Sequence, residues 1–550
     1  MPLTTRPFEF PDSEVMEALM SRLRSLSSPH AILAFLASIS FIYLAPTEAQ
    51  AFCGFYVSGA DQEMYNNATM VVMMREGTKT VLSMRNNYEG PPEDFAMVIP
   101  VPQVLEEENV KVLKDEVFTR VDQLAAPRLV EYWEQDPCLI LKYKEDAKGS
   151  GNTRVADYAS GGAPGGGLGV TVEAQFDVGE YNVVILSAKE SNGLEKWLKQ
   201  EKYNIPEGAA PVLKPYIEGG QYFFVAKVDP KKVTFKDGQA KLSPLRFHYD
   251  SKEFSLPVRL GLLNAKGHQD LLVHILAKKQ RYEVANYKNV TIPTNILVKD
   301  HVRDRFAEFY ATLLDRTLEE NPKAVITEYS WDASTCDPCP VPALRPDEIM
   351  SLGGDIIQEA NQRGVVLTRL HARYTKDDLE EDLIFKKADP IVGGRGTPSG
   401  ENPKMAEEGS KPGSYNNFQG RYIMLNYWEG KIECENPQRG VWGGPPNGGQ
   451  KTRAASDIAF APRGKFELPE AFAQEKIPGL KLEGSKPEPQ KTEAKAEGDK
   501  PLTKAEQKTA EKKQKKKSNC ASAGTPDVPA SPLALLLLGL IGLMRRRARD

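Results

Sequence analysis

The sequence predicts an α+β protein dominated by strands, in sandwich-like units joined by helices and followed by a disordered C-terminal stalk. Three observations carry this expectation. Short apolar runs of strand length recur between residues 69 and 428, bounded by Gly, Pro and Asp turn signals. Only a few stretches among them have the spacing of an amphipathic helix. Beyond residue 482 the apolar periodicity stops and the chain becomes rich in Lys, Glu, Pro and Ala.

The first block, 52–147, opens with strand-like runs at 69–74 and 78–85 separated by Glu76-Gly77, a hairpin signal. The string 95–102 (Phe-Ala-Met-Val-Ile-Pro-Val-Pro) reads as a buried strand closed by prolines, which cannot extend a hydrogen-bonded ladder. Val112, Leu113, Val117 and Val121 then fall on one face of a helix expected over 110–124. The segment 148–169, with Gly161-Gly162 and Gly165-Gly166-Gly167, reads as a flexible loop. A phosphate cradle would need a strand before those glycines and a helix after them, and the pattern supplies neither.

The second block, 170–294, predicts strands at 176–186, 222–228, 258–263 and 271–276. A helix is expected over 193–202 around Trp197, and a turn at Asp237-Gly238. Phe247, Tyr249, Phe254 and Leu256 continue the strand pattern. The third block, 295–482, predicts a helix over 300–318 and strands at 325–331, 365–374 and 421–428. Gly- and Pro-rich loops occupy 393–413 and 440–449. The full chain of 550 residues is long enough for two to four domains of the usual ~100–200 residues.

The two ends predict an address. Arg22 and Arg24 precede an apolar run over 31–44, which is followed by Pro46 and the small-residue box Ala49-Gln50-Ala51. That order describes a signal peptide over 1–51, cleaved after Ala51, with residues before Met20 as an upstream extension. The run is shorter than the ~20 residues a membrane span needs. Phe52 before Cys53 argues against a lipoprotein signal, which requires a small residue there. At the other end, 483–531 is a stalk too polar to offset its chain entropy by burial. It carries Cys520 near its end and leads to the short apolar stretch 533–544 and the cluster Arg545, Arg546, Arg547 and Arg549, which together define a tail over 532–550. Positive charge of this kind stays on the cytoplasmic side.

The tail resembles the MYXO-CTERM sorting signals. The resemblance implies an envelope sorting protease as partner, contact with the membrane through the tail, and Cys520 as the residue of processing or attachment. One departure is that Cys520 lies between Asn519 and Ala521, where that family often has glycines. The strings at 51–57 (Ala-Phe-Cys-Gly-Phe-Tyr-Val), 97–102, 331–340 and 367–374 (Leu-Thr-Arg-Leu-His-Ala-Arg-Tyr) resemble the bacterial domain-of-unknown-function family 2330. That resemblance implies an exported protein and carries over no catalytic residue.

Cys53, Cys138, Cys336, Cys339 and Cys434 lie outside the tail, and export would favour structural disulfides among them. The expected pairing joins Cys53 or Cys138 to one member of the Cys336/Cys339 pair, with one cysteine left over. The alternatives are a thiol–disulfide site at Cys336/Cys339, a zinc site completed by Cys434 and His371, and a cysteine nucleophile paired with His371. Against the first, Pro340 and Pro342 obstruct the helix on which a redox Cys-x-x-Cys normally sits. His248, His268, His274, His301 and His371 show no metal-ligand spacing, and His274 and His371 lie in expected strands. The acidic runs 106–108 and 377–382 lack the alternating ligands and turn glycine of a calcium loop, and so read as solvated faces. A formal net charge of −4 gives no field for nucleic acid. The sequence therefore predicts a disulfide-stapled ectodomain at the cell envelope, either the outer-membrane surface or the periplasm. Its role would be non-catalytic binding, adhesion or structure, with no cofactor. The alternative is an envelope enzyme, either a thiol–disulfide protein or a hydrolase.

Overall fold

The computed structural model describes residues 55–484, apart from 59–64, 90–94, 139–171, 188–190 and shorter gaps at 206–207, 237–238, 265–266, 359–362, 402, 404, 406, 447–451, 455–460 and 465. The expected signal peptide with Ala51, Cys53, the glycine-rich loop, nearly all of the stalk and the tail with Cys520 lie outside the described residues. Among those described, no helix is long and apolar enough to cross a membrane.

In chain order the principal elements begin with β1 (Phe55–Ser58), β2 (Tyr65–Glu76), β3 (Lys79–Glu89), β4 (Phe95–Val101), α1 (Asp115–Ala125) and β5 (Arg128–Glu134). There follow β6 (Val172–Val178), β7 (Tyr181–Ser187), α2 (Ser191–Gln200), α3 (Ala209–Glu218) and β8 (Tyr222–Val228). Last come β9 (Gln269–Lys278), α4 (Phe306–Glu320), β10 (Ala324–Asp332), β11 (Val365–Tyr374) and β12 (Arg421–Asn426).

Two sheets pack face to face, as the sandwich-like pattern predicts. One has five strands in the order β1-β4-β8-β7-β6. The other is large and mixed, and its centre runs β3-β2-β9-β11-β10, with β2 parallel to β9 and the other central pairs antiparallel. Strand alternation sorts the side chains between layers. Phe95, Met97 and Ile99 of β4 meet Val71, Met73, Val273 and Ile275 between the sheets. Ala96 and Val98, on the opposite face of β4, lie under Leu194 and Leu198 of α2 and Leu213 and Ile217 of α3. The outer face of the large sheet is covered by Val117, Phe118 and Val121 of α1 and, further along, by Phe309, Leu313 and Leu314 of α4. Because both of its faces are buried, β4 is continuously apolar.

The blocks 52–147, 170–294 and 295–482 interleave: β2 and β3, β9, and β10 and β11 come from different blocks and share one sheet. Several local expectations also change. Residues Val110–Val112 form a short strand on Leu245–Asp250, so the helix begins only at Asp115. The run 176–186 is a hairpin, because Gly179 at φ +60° turns the chain between β6 and β7. Arg259–Asn264 is a 3-10 turn where a strand was expected; Asp382 accepts from the Val258 and Arg259 amides and holds it there. The helix α3 has no counterpart in the sequence pattern, because Pro211 and Pro215 argue against it locally.

Candidate functional site

The most concentrated polar chemistry lies on the α1/α4 face of the large sheet. Asp270 and His274 of β9 stand opposite Arg373 and Arg369 of β11, and His371 lies between those arginines on the same face. The third strand needs a device to join them. In β10 the register against β11 shifts between Thr327 and Tyr329, leaving Glu328 as an extra residue. Such a bulge re-aims a side chain, and here Glu328 reaches both Arg369 and His371.

The contacts form one connected network. His371 Nδ1 lies 2.7 Å from Glu328 Oε1, and its Nε2 lies 2.8 Å from Asp270 Oδ1. Arg369 donates through Nε to Glu328 Oε2 and through Nη1 to Asp122 of α1, each at 2.5 Å. From α4, Tyr310 donates its hydroxyl to Glu328 Oε1 at 2.7 Å. Arg463 closes the far end, reaching Asp270 at 3.1 Å and Asp315 at 2.5 Å, and Arg373 bonds the same two acids. His371 and Glu328 are fully buried, and Asp270 is 1% exposed.

Charge balance explains how such a group survives burial. Four carboxylates (Asp122, Asp270, Asp315 and Glu328) face three guanidinium groups and His371. Ionised carboxylates only accept, so both contacts of the imidazole are hydrogen bonds only when both of its nitrogens carry protons. Burial disfavours that cation, but Glu328 and Asp270 raise the His371 pKa above its ordinary value. Burial likewise disfavours ionised Asp270 and Glu328, yet His371 and the neighbouring arginines hold both at about 2. His274, fully buried on the same face, is pushed well below its ordinary value by burial and then by Arg369. One histidine of the face is thus charged and the other neutral.

This arrangement resembles an acid–histidine pair but lacks the freedom of one. Both His371 nitrogens are occupied, so it cannot serve as base to a cysteine or complete a zinc site. All four described cysteines are in disulfides. Cys138 pairs with Cys434 across 296 residues, and Cys336 pairs with Cys339. The expected cross-pairing into Cys336/Cys339 is therefore corrected. Cys138 and Cys434 follow β5 and β12, which run side by side in parallel and release their chains at the same end. No local spacing reveals that.

Two of the remaining histidines and part of one acidic run have structural partners, whereas Glu106, Glu107 and Glu108 are exposed to solvent as expected. His248 contacts Asn109, and His301 stacks on Phe466. In the 377–382 run, Asp378 bonds Thr375, Glu380 pairs with Lys323, and Asp382 receives Tyr216 and Arg259. Among the described residues no group of three or more His, Cys, Asp or Glu is placed to hold a metal ion.

The sequence reading missed Asp122, Asp270, Tyr310, Glu328, Arg369 and Arg463. One signal was present: Arg369, His371 and Arg373 alternate with Leu370 and Ala372, which puts three cations on one face of a single strand. Their acid partners come from distant segments and carry no pattern of their own.

Among solved structures, a crystal structure of baculovirus P35 is similar at 10% identity and a TM-score of 0.23, over 59% of this chain and 97% of that one. A likeness that loose carries no argument. No curated protein matches. A bacterial family does match, over residues 47–386, a stretch that includes β1 through β11. The chain belongs to that family, DUF2330, described as an uncharacterized protein conserved in bacteria.

Proposed function

We propose that this protein is an exported cell-envelope ectodomain with a non-catalytic role in binding, adhesion or structure. The observation that carries the reading is the sealed polar centre. Among the described residues, the His371 constellation with Glu328 and Asp270 is buried, with both ring nitrogens engaged, and so is built to hold the fold rather than to meet a substrate. The Cys138–Cys434 staple supports an oxidising compartment, where such bonds persist. The signal-like residues 1–51 and the Cys520-to-Arg549 tail support export, membrane contact and handling by an envelope sorting protease.

Expression of the full chain in an exporting bacterial host, followed by fractionation and intact-mass analysis, tests this. The expected result is an envelope-associated protein beginning at Phe52 with Cys138 and Cys434 joined. A cytosolic product that keeps residues 1–51 and has reduced cysteines would overturn the reading.

A further inference from the structure

The Cys336–Cys339 disulfide sits in a different setting from the staple. Cys339 is exposed, whereas Cys336 is half-buried and packs against the core under α1. The loop that holds them is shaped by bonds that do not involve sulfur. Gln419 donates to the Asp337 carbonyl at 2.7 Å, and Arg128 donates to the Pro338 carbonyl at 3.0 Å. On the far side Arg120 grips the carbonyls of Pro342 and Ala343 at 2.9 and 3.1 Å, and Leu344 closes onto Ala333. At the near side Trp331 Nε1 donates to the Thr335 hydroxyl. Arg128 and Gln419 are themselves immobilised in the core.

A disulfide in such a loop can open without releasing the chain. The bridge spans three residues, so it adds little to what those bonds already fix. The two sulfurs remain neighbours after reduction and are poised to close again.

We propose that Cys336–Cys339 is a reversible thiol–disulfide exchange site whose reaction partner is a dithiol, either a small molecule or a protein. A dithiol thiolate attacks the exposed Cys339 Sγ. The Cys336–Cys339 bond breaks, and Cys336 leaves as a thiolate that takes up a proton. The second thiol of the partner then attacks the mixed disulfide and frees Cys339. The partner departs oxidised by two electrons, and the protein keeps two thiols. In the reverse direction the same loop hands its electrons to an oxidised partner. The proposal stands whether or not the export reading holds, because it rests on access and loop geometry alone.

The test is a dithiothreitol titration of the intact native protein, trapped with an alkylating reagent and read by peptide mass, with thermal unfolding followed in parallel. Cys336 and Cys339 should become alkylated at about tenfold less dithiol than Cys138 and Cys434. The unfolding midpoint should stay nearly unchanged across that first step, and added oxidised glutathione should restore the bond. Two results would each overturn the proposal: opening of both disulfides only at the same dithiol concentration, or loss of the folded state on reduction of Cys336–Cys339.

Discussion

His371 and Asp270 meet at 2.8 Å although they are not opposite one another: the ladder pairs His371 with Leu272, and Asp270 with Arg373. The diagonal contact lets one carboxylate serve His371, Arg373 and Arg463 together, and it joins the central sheet to the segment 461–484. Phe466, Leu468, Ala471, Phe472 and Ile477 of that part pack into the α4 cluster beside it.

Replacing His371 with Ala should be among the most damaging single changes in the protein. It removes the cation between Glu328 and Asp270 and leaves two buried acids short of a partner, at a cost of roughly 3–5 kcal/mol. Urea unfolding of the two forms measures it. A loss under about 1 kcal/mol would mean that His371 is not the charged centre described above.

Arg463→Ala should cost less, about 1–2 kcal/mol, because its side chain is 15% exposed and Arg373 still bonds both acids. The same unfolding experiment, with Arg373→Ala and the double variant, should give a non-additive cycle, since both arginines share Asp270 and Asp315.

Stability should depend on pH from both sides of the network. His371 has a raised folded pKa, so its contribution is complete below the unfolded value of 6.5 and is lost as pH rises through the folded one. Asp270 and Glu328 behave oppositely. Their contribution is complete above the unfolded values of 3.8 and 4.5 and disappears as pH falls toward about 2. The unfolding free energy should therefore be highest between about pH 5 and 6.5, with the alkaline slope reduced in His371→Asn. An unchanged alkaline slope in that variant would assign the slope to other groups.

The two disulfides should differ in weight. In the chain-entropy account, a bridge across 296 residues contributes roughly 5–6 kcal/mol; one across three residues contributes at most about 2 kcal/mol, and less here because Gln419, Arg128 and Arg120 already hold the loop. Cys138→Ser with Cys434→Ser should lower the thermal midpoint several times more than Cys336→Ser with Cys339→Ser. Equal losses would show that the short loop depends on its sulfur bridge after all.

The sequence by itself determined the strand-rich class and several of its strands, among them those at 222–228, 271–276 and 365–374. The Glu76-Gly77 turn fixed one hairpin, and the eight-residue string from Phe95 announced a buried strand closed by prolines. The strand expected over 365–374 coincides with β11. These are local properties: side-chain direction has a period of two along a strand, and glycine relieves the strain of a tight turn within a few residues.

Tertiary structure alone decided which strands became neighbours. Cys138 found Cys434 because β5 and β12 lie in parallel, a pairing of segments almost 300 residues apart that no spacing encodes. Glu328 entered the network only because a bulge in β10 displaced it, and Asp122 and Arg463 arrived from a helix and from a segment about 90 residues beyond β11. A buried charge is stable only where its partners are brought to it. Whether Arg369, His371 and Arg373 face water or four carboxylates was therefore settled by the packing of α1, α4 and the closing segment, and by nothing within the strand itself.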